Sequence, residues 1–252
     1  MRFVHLHCRS YFSLKDGAYS PEDLARRAAE LGMPAVAMTD RDGLYGAARF
    51  AAACRDLDVK PIFGAWLTLG GEGGEGRSAG SLRSLPAPPA RARVLLLARD
   101  AVGYANLCRL LTSAHMRGDR GEPWLSPREV MERADGLVCL LGPESPPGAL
   151  ALRGRPGAAR EVARPWREAF GPWCFVEVRN LLEPGSAGEV RTLLRLAEDA
   201  GLPGVATNAV RYLRPEDGFL ADALECMREI VPVAEHHVTR RNTEGHLKPA
   251  EA

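Results

Sequence analysis

The chain has 252 residues, 46% hydrophobic and 26% charged, long enough to bury a full-sized core as one large α/β domain or two smaller ones. Lys and Arg total 33 against 32 Asp and Glu, a formal net charge of +1, so no strong global field draws it to nucleic acid or to a membrane surface, and only a local basic patch stays open. Six cysteines stand singly at positions 8, 54, 108, 139, 174 and 226 with no C-x-x-C pair, which argues against a disulfide framework or a thiolate zinc knuckle and for reduced cytoplasmic thiols. No stretch approaches the ~20 apolar residues that span a bilayer, and Met1–His5 carries no signal-peptide pattern, so the expectation is a soluble cytoplasmic protein with no membrane partner.

Short apolar, β-branched runs alternate with helical patterns along the chain. The first strand candidate is Phe3–Cys8. Ser20-Pro21-Glu22-Asp23 then offers an N-cap, a first-position proline and first-turn carboxylates, with Leu24, Ala28 and Leu31 on one face and a stop at Gly32. Ala35–Thr39 is the second strand, fully apolar over Pro34–Met38 as in a parallel sheet covered on both faces. Pro61–Leu69 and Val94–Ala98 follow, separated by Gly70–Arg91, the core of a low-complexity loop at 70–92 that is expected to lack regular structure. No Gly-Lys-Ser/Thr follows that glycine-rich run, so it is not a phosphate loop.

A helix after Gly103 ends near His115, and Ser126-Pro127-Arg128-Glu129 repeats the earlier helix start. Leu137–Leu141 is the next strand, and Gly142–Gly157, rich in Gly and Pro, reads as a surface connection. Cys174–Val178 and Val205–Thr207 complete seven strand candidates. Helical stripes fall at Val190, Leu193, Leu194 and Ala197, and at Leu220, Leu224, Met227 and Val231. Alternating β and α units imply a doubly wound sheet or a barrel, and seven strands favour the barrel. His236, His237 and His246 lie in a polar tail and read as solvated.

The sharpest local signal is His5-Leu6-His7 in the first strand. Alternation puts both imidazoles on one face, and at the C-terminal end of a barrel strand they form either a bidentate metal grip or a hydrogen-bonded polar pair at the barrel mouth. Asp16, in Ser13-Leu14-Lys15-Asp16-Gly17, can return over the same mouth. After the second strand comes Thr39-Asp40-Arg41-Asp42-Gly43. Asp42 reads as the cap of a helix starting near Gly43, and Asp40 is open as a ligand, a base or a salt-bridge partner.

Together F-V-H-L-H-x-R-S-x-x-S-L-x-D-G-A, E-L-G-M-P-A-V-A-M-T-D, G-L-Y-G-A-x-R-F and K-P-I-F-G-A resemble one family. Gly103-Tyr104-Ala105-Asn106-Leu107, Ala206-Thr207-Asn208 and Tyr212-Leu213-Arg214-Pro215-Glu216-Asp217 extend the likeness, as does the tail Arg240–Lys248. The chain resembles the PHP (polymerase and histidinol phosphatase) domain at the N-terminus of the bacterial DNA polymerase III alpha subunit, a family C, DNA-directed DNA polymerase.

The resemblance implies an α/β fold, a distorted (βα)7 TIM-like barrel, over residues 1–230, with 231–252 a linker leading toward an absent polymerase palm. It implies a domain of DNA replication whose partners in a full-length parent are the polymerase core, DNA and replisome subunits such as the proofreading exonuclease. Members with an intact site hold divalent metals, and some are phosphoesterases or 3′–5′ exonucleases. Carried over by position, His5, His7 and Asp16 match the family's first ligands. Arg41, Trp66, Arg93, Pro143, Ala209 and Arg211 stand where the family has further ligands. Arginine stays protonated and cannot coordinate a cation, but its guanidinium can fill the space and charge of a lost metal, pairing with Asp16 or Asp40.

The expectation is therefore a vestigial metal site, no cofactor, weak or no nucleic-acid binding, and a non-catalytic structural or interaction domain. No nucleotidyltransferase activity is expected of this chain alone. The competing expectation is a metal-dependent phosphoesterase or 3′–5′ exonuclease using zinc or manganese.

Overall fold

The computed structural model describes residues 3–70, 92–117, 121–233 and 242–250; residues 71–91 of the low-complexity loop expected at 70–92, and His236-His237, lie outside them, while Ala92 opens a strand. Six strands form one sheet in chain order: β1 (Ala35–Arg41), β2 (Lys60–Leu69), β3 (Ala92–Ala98), β4 (Leu137–Leu141), β5 (Cys174–Arg179) and β6 (Gly204–Thr207). These match six of the seven strand candidates. The sheet is mostly parallel, and Cys139 lies opposite Cys174 in the parallel β4–β5 pair. The β3–β4 pair is antiparallel, with Leu95 opposite Leu140 and Ala98 opposite Leu137. Between them the chain runs out along α3 (Ala101–Arg117) and back through Leu125 and α4 (Pro127–Met131), re-entering the sheet beside the residue where it left. A simple crossover was expected there, and the additional passage reverses the strand.

By its internal packing the chain divides into two compact units. The first comprises residues 1–65, 179–187 and 207–252. In it α1 (Pro21–Glu30) starts as its sequence dictates: the Ser20 hydroxyl accepts from the Asp23 N–H at 3.0 Å, Pro21 opens the helix, and Leu24, Ala25 and Ala28 are buried. It packs against α2 (Ala47–Asp56), which contributes Phe50 and Cys54 to a core shared with Met38, Val59 and Val210. Asp42 does not cap α2. It has a positive φ of 50°, and the helix begins only after Gly46.

Residues 3–9 run extended but form no regular strand. Cys8 makes an isolated parallel bridge to Val210, and the carbonyls of His5 and Cys8 accept from Ala37 and Thr39 at 2.9 and 2.8 Å. Val210 accepts from the Arg9 N–H and donates to the His7 carbonyl, each at 2.9 Å, so the segment is tied on two sides by a few bonds rather than a regular ladder.

α8 (Gly218–Glu229) reverses the expected face: Leu220 and Met227 are exposed, while Asp222, Glu225 and Cys226 are buried. The tail also departs from the solvated reading. The Asn208 amide donates to the carbonyls of Glu244 and His246 at 2.6 and 2.7 Å, Tyr212 bridges His246, and Leu247 is fully buried.

The second unit comprises residues 66–178 and 188–206. α3 ends with His115 and Arg117 in its last turn, where the helix dipole favours cations. Ser126 and Glu129 form a reciprocal capping box at α4, and Arg117 pairs with Glu129, pulling that carboxyl down to about 2. Gly142–Gly157 is not a surface connection. Ser145 caps a short helix, α5 (Pro146–Leu152), whose residues Pro147–Ala151 are buried, and α6 (Pro156–Phe170) follows and packs on it. Gly148 approaches the Gly142 carbonyl so closely that a Cβ would sit 2.1 Å from its oxygen. Trp166 and Phe170 of α6 stack with ring centroids 6.2 Å apart. α7 (Ser186–Ala200) buries Leu193 and Ala197 of its stripe, with Leu194 left exposed.

Candidate functional site

The singled-out residues fall in both units. In the first, His5, His7, Asp16, Asp40 and Ala209 are buried. The Nε2 of His5 lies 3.0 Å from the Lys248 carbonyl, which places a proton on Nε2. Its Nδ1 is buried with no hydrogen-bond partner among the described residues. Burial lowers the His5 pKa from 6.5 to about 4, against the Lys248 hydrogen bond and with help from the charges of His246 and Lys248.

Asp16 is the centre of the arrangement. Arg9 Nη1 donates to its Oδ2 at 2.6 Å, with side chains only 9% and 8% exposed. Arg211 Nε stands 2.9 Å from Oδ1, close enough for an ion pair but not aligned for a hydrogen bond. Burial alone would push the Asp16 carboxyl up. The positive charges of Arg9, then Arg211, Arg41 and Arg228, outweigh it and hold the group below its ordinary range. Arg9 Nη2 also donates to the carbonyl of Ala209 at 3.1 Å. Ala209 has a φ of 45°, a strained left-handed conformation for alanine. Gly17 is obligatory beside this carboxylate, because a Cβ there would lie 2.1 Å from the Arg9 carbonyl oxygen.

Asp40 was open as an arginine partner, and the geometry gives it serines instead. Its oxygens accept from the Ser10 N–H at 2.6 Å and from the Ser10 and Ser13 hydroxyls, each at 2.7 Å. Burial raises its pKa despite those bonds and the charge of Arg9. Arg41 donates its backbone N–H to Ser13 Oγ at 2.9 Å and its Nη2 to the Leu14 carbonyl at 3.4 Å. His5, His7, Asp16, Arg41 and Arg211 were expected to share one end of a barrel. The structure brings Arg211 onto Asp16 and Arg41 onto the loop before it.

Sequence reasoning missed Arg9, which makes the shortest contact to Asp16. The signal was its place two residues beyond His7 in the same alternation. It also missed Asn208, whose amide fixes the tail.

In the second unit, two of the residues that the resemblance singled out meet. The Arg93 guanidinium lies 4.3 Å from the Trp66 ring centroid, a cation–π stack, and its backbone N–H donates to the Glu144 carbonyl at 2.9 Å. Pro143 lies in the turn after β4, next to Gly142, which packs against the buried Glu177 carboxylate.

A family model described as "PHP domain" matches residues 5–180. The chain belongs to the PHP domain family. An error-prone DNA polymerase from Symbiobacterium thermophilum is 35% identical over 271 residues, covering all of this chain and 23% of that protein. DNA polymerase III subunit alpha from Treponema pallidum is 34% identical, covering 90% of this chain and 19% of its own length. The same subunit from Caulobacter vibrioides is 32% identical, covering 99% and 21%. The chain thus spans about a fifth of the length of these curated relatives, matching their N-terminal region.

Among solved structures, a candidate metal-dependent phosphoesterase from Bifidobacterium adolescentis aligns with a TM-score of 0.52 at 15% identity, covering 82% of this chain and 87% of its own. That likeness and the sheet order agree with the distorted TIM-like α/β fold of PHP domains.

Proposed function

We propose that this chain acts as the PHP domain of a bacterial family C DNA polymerase, a structural and interaction module with a vestigial metal site and no hydrolytic activity of its own. The observation that carries this reading is the double engagement of Asp16 by Arg9 and Arg211. A metal cluster needs several anionic or imidazole ligands to replace hydration and offset the ions' charge. Of the carried-over positions only His5, His7 and Asp16 keep a donor, and the single carboxylate among them is committed to two guanidiniums. Arg41 adds a third positive charge acting on it. This donor set does not fit a multinuclear metal centre. Trp66 and Arg93, stacked on each other, place a ring and a fixed cation at two further ligand positions.

The relatives support a polymerase context, in which the partners would be the polymerase core, DNA and replisome subunits such as the proofreading exonuclease. A cytoplasmic setting accords with that context. Among the described residues no helix is long and apolar enough to cross a membrane.

The test is hydrolysis of 3′-labelled oligonucleotides and of a chromogenic phosphodiester with zinc or manganese, the wild type run beside His7→Ala. The expected result is no turnover above the variant. Metal-stimulated turnover lost in His7→Ala would replace this reading with the phosphoesterase one.

A further inference from the structure

α8 is amphipathic, and its apolar side is turned outward. At roughly 100° per residue, Phe219, Leu220, Ala223, Met227 and Ile230 fall within one arc about 100° wide. Asp222 and Glu225 lie on the opposite, buried side. A stripe of that width ordinarily faces a core. Here Phe219, Leu220, Met227, Ile230 and the following Val233 are between 41% and 89% exposed. Ile230, the most exposed of them, closes the helix at φ 57°, a left-handed conformation costly for a β-branched residue. Cys226, Met227 and Ile230, with Val231, Pro232 and Val233 after them, line an apolar groove of about 530 Å³. At ~200 Å² for a fully exposed large side chain, the five exposed residues present roughly 600 Å² per chain. Ala223 and Pro232 bring the face toward the ~800 Å² that each partner contributes to a specific interface.

The two ends of this face are complementary to each other. Phe219 and Leu220 project at the N-terminal end, and the groove opens at the C-terminal end. Asp217, the N-cap, and Arg228, in the last turn, flank the stripe on the same side at opposite ends. Glu225 holds Arg228 at 3.3 Å while the Arg228 side chain stays 39% exposed. A surface with a projection at one end, a groove at the other and opposite charges beside them fits a copy of itself turned about a two-fold axis. We propose that α8 is a self-association face, on which two copies of this chain pair with their α8 helices antiparallel about an axis at Ala223. Phe219 and Leu220 of each chain enter the groove of the other, and Asp217 of each faces Arg228 of the other. The small side chain at Ala223 lets the two helices approach closely where they cross. This pairing does not depend on the state of the metal site, so either reading can fail alone.

Sedimentation velocity of the full chain under reducing conditions, from low micromolar to sub-millimolar concentration, tests it. The expected result is a concentration-dependent rise from the 27.3 kDa of one chain to twice that mass. Leu220→Glu and Met227→Glu put a charge at exposed positions, and each should weaken association at least about ten-fold with an unchanged circular dichroism spectrum. Ala223→Cys, at the axis, should cross-link chain to chain on oxidation with copper phenanthroline, well above the wild type with its six native cysteines. A chain that stays monomeric throughout overturns the proposal, as does a dimer that both glutamate variants leave equally tight. Cross-linking of Ala223→Cys no greater than wild type overturns the two-fold arrangement. A monomer that instead binds a leucine-rich amphipathic helical peptide, with binding lost in Met227→Glu, would give the face to a foreign helix and overturn self-pairing.

Discussion

Replacing Asp16 with Asn keeps the side chain's shape and removes its charge, and the sign of the result separates two accounts of this residue. If Asp16 is held for a metal, then in metal-free protein its buried charge is a liability, and neutralising it leaves stability unchanged or raises it. If it is the counter-ion of Arg9 and Arg211, the substitution strands Arg9, whose side chain is 9% exposed, and weakens Arg211, which is 23% exposed. Removing one partner of a buried pair costs about 3–5 kcal/mol. Arg211 is partly solvated, so its share is small, and about 3 kcal/mol is the expected total. For a chain of this size that is a fall of roughly 6–12 °C in melting temperature. Urea denaturation of metal-free wild type, Asp16→Asn, Arg9→Met and the double variant measures it, and the cycle should return a coupling of at least about 1.5 kcal/mol. An Asp16→Asn protein as stable as wild type, with additive effects in the cycle, would refute the argument.

Other consequences are equally direct. His5 stays neutral in the folded chain down to about 4, whereas the unfolded chain protonates it near 6.5. The unfolded state therefore takes up the proton first, and stability contributed above pH 6.5 is lost as pH falls to about 4, on the order of 3 kcal/mol. Denaturation midpoints measured across that window should slope downward with acid in the wild type and lie nearly flat in His5→Gln; a flat wild-type profile would contradict the burial argument. Gly17→Ala forces backbone apart at the Arg9 carbonyl, and the expected loss is at least about 2 kcal/mol by the same denaturation assay. A neutral result would show that the loop accommodates a Cβ.

Six strands, the capped starts of α1 and α4, and the fold family were legible because each rests on local pattern: apolar runs, Ser-Pro starts and an extended set of motifs. The failures share a cause, since each depended on what the chain meets in space. Phe3–Cys8 reads as a strand, but its backbone bonds are confined to Ala37 and Thr39 on one side and Val210 on the other, too few for a ladder. Ser145-Pro146 carries the same start signal as Ser20-Pro21, yet the surrounding Gly and Pro masked a buried helix. α8 has apolar spacing that predicts the wrong face, because its acidic Asp222 and Glu225 are turned inward, with Glu225 pairing with Arg228. At the site, the resemblance singled out Asp16, Arg41 and Arg211, and the structure brings Arg211 onto Asp16. The resemblance could not reveal that Asp40 would be satisfied by Ser10 and Ser13, leaving Asp16 to the arginines, because hydrogen-bond competition is settled only by geometry.

The most direct test of the vestigial-site account is metal content. The purified chain would be dialysed against zinc or manganese at neutral pH, passed through a desalting column and assayed by elemental analysis beside His7→Ala. The arginine–carboxylate arrangement predicts well under one metal per chain, with wild type and variant alike. Two or more metals per chain, lost in His7→Ala, would contradict it and make His5, His7 and Asp16 working ligands.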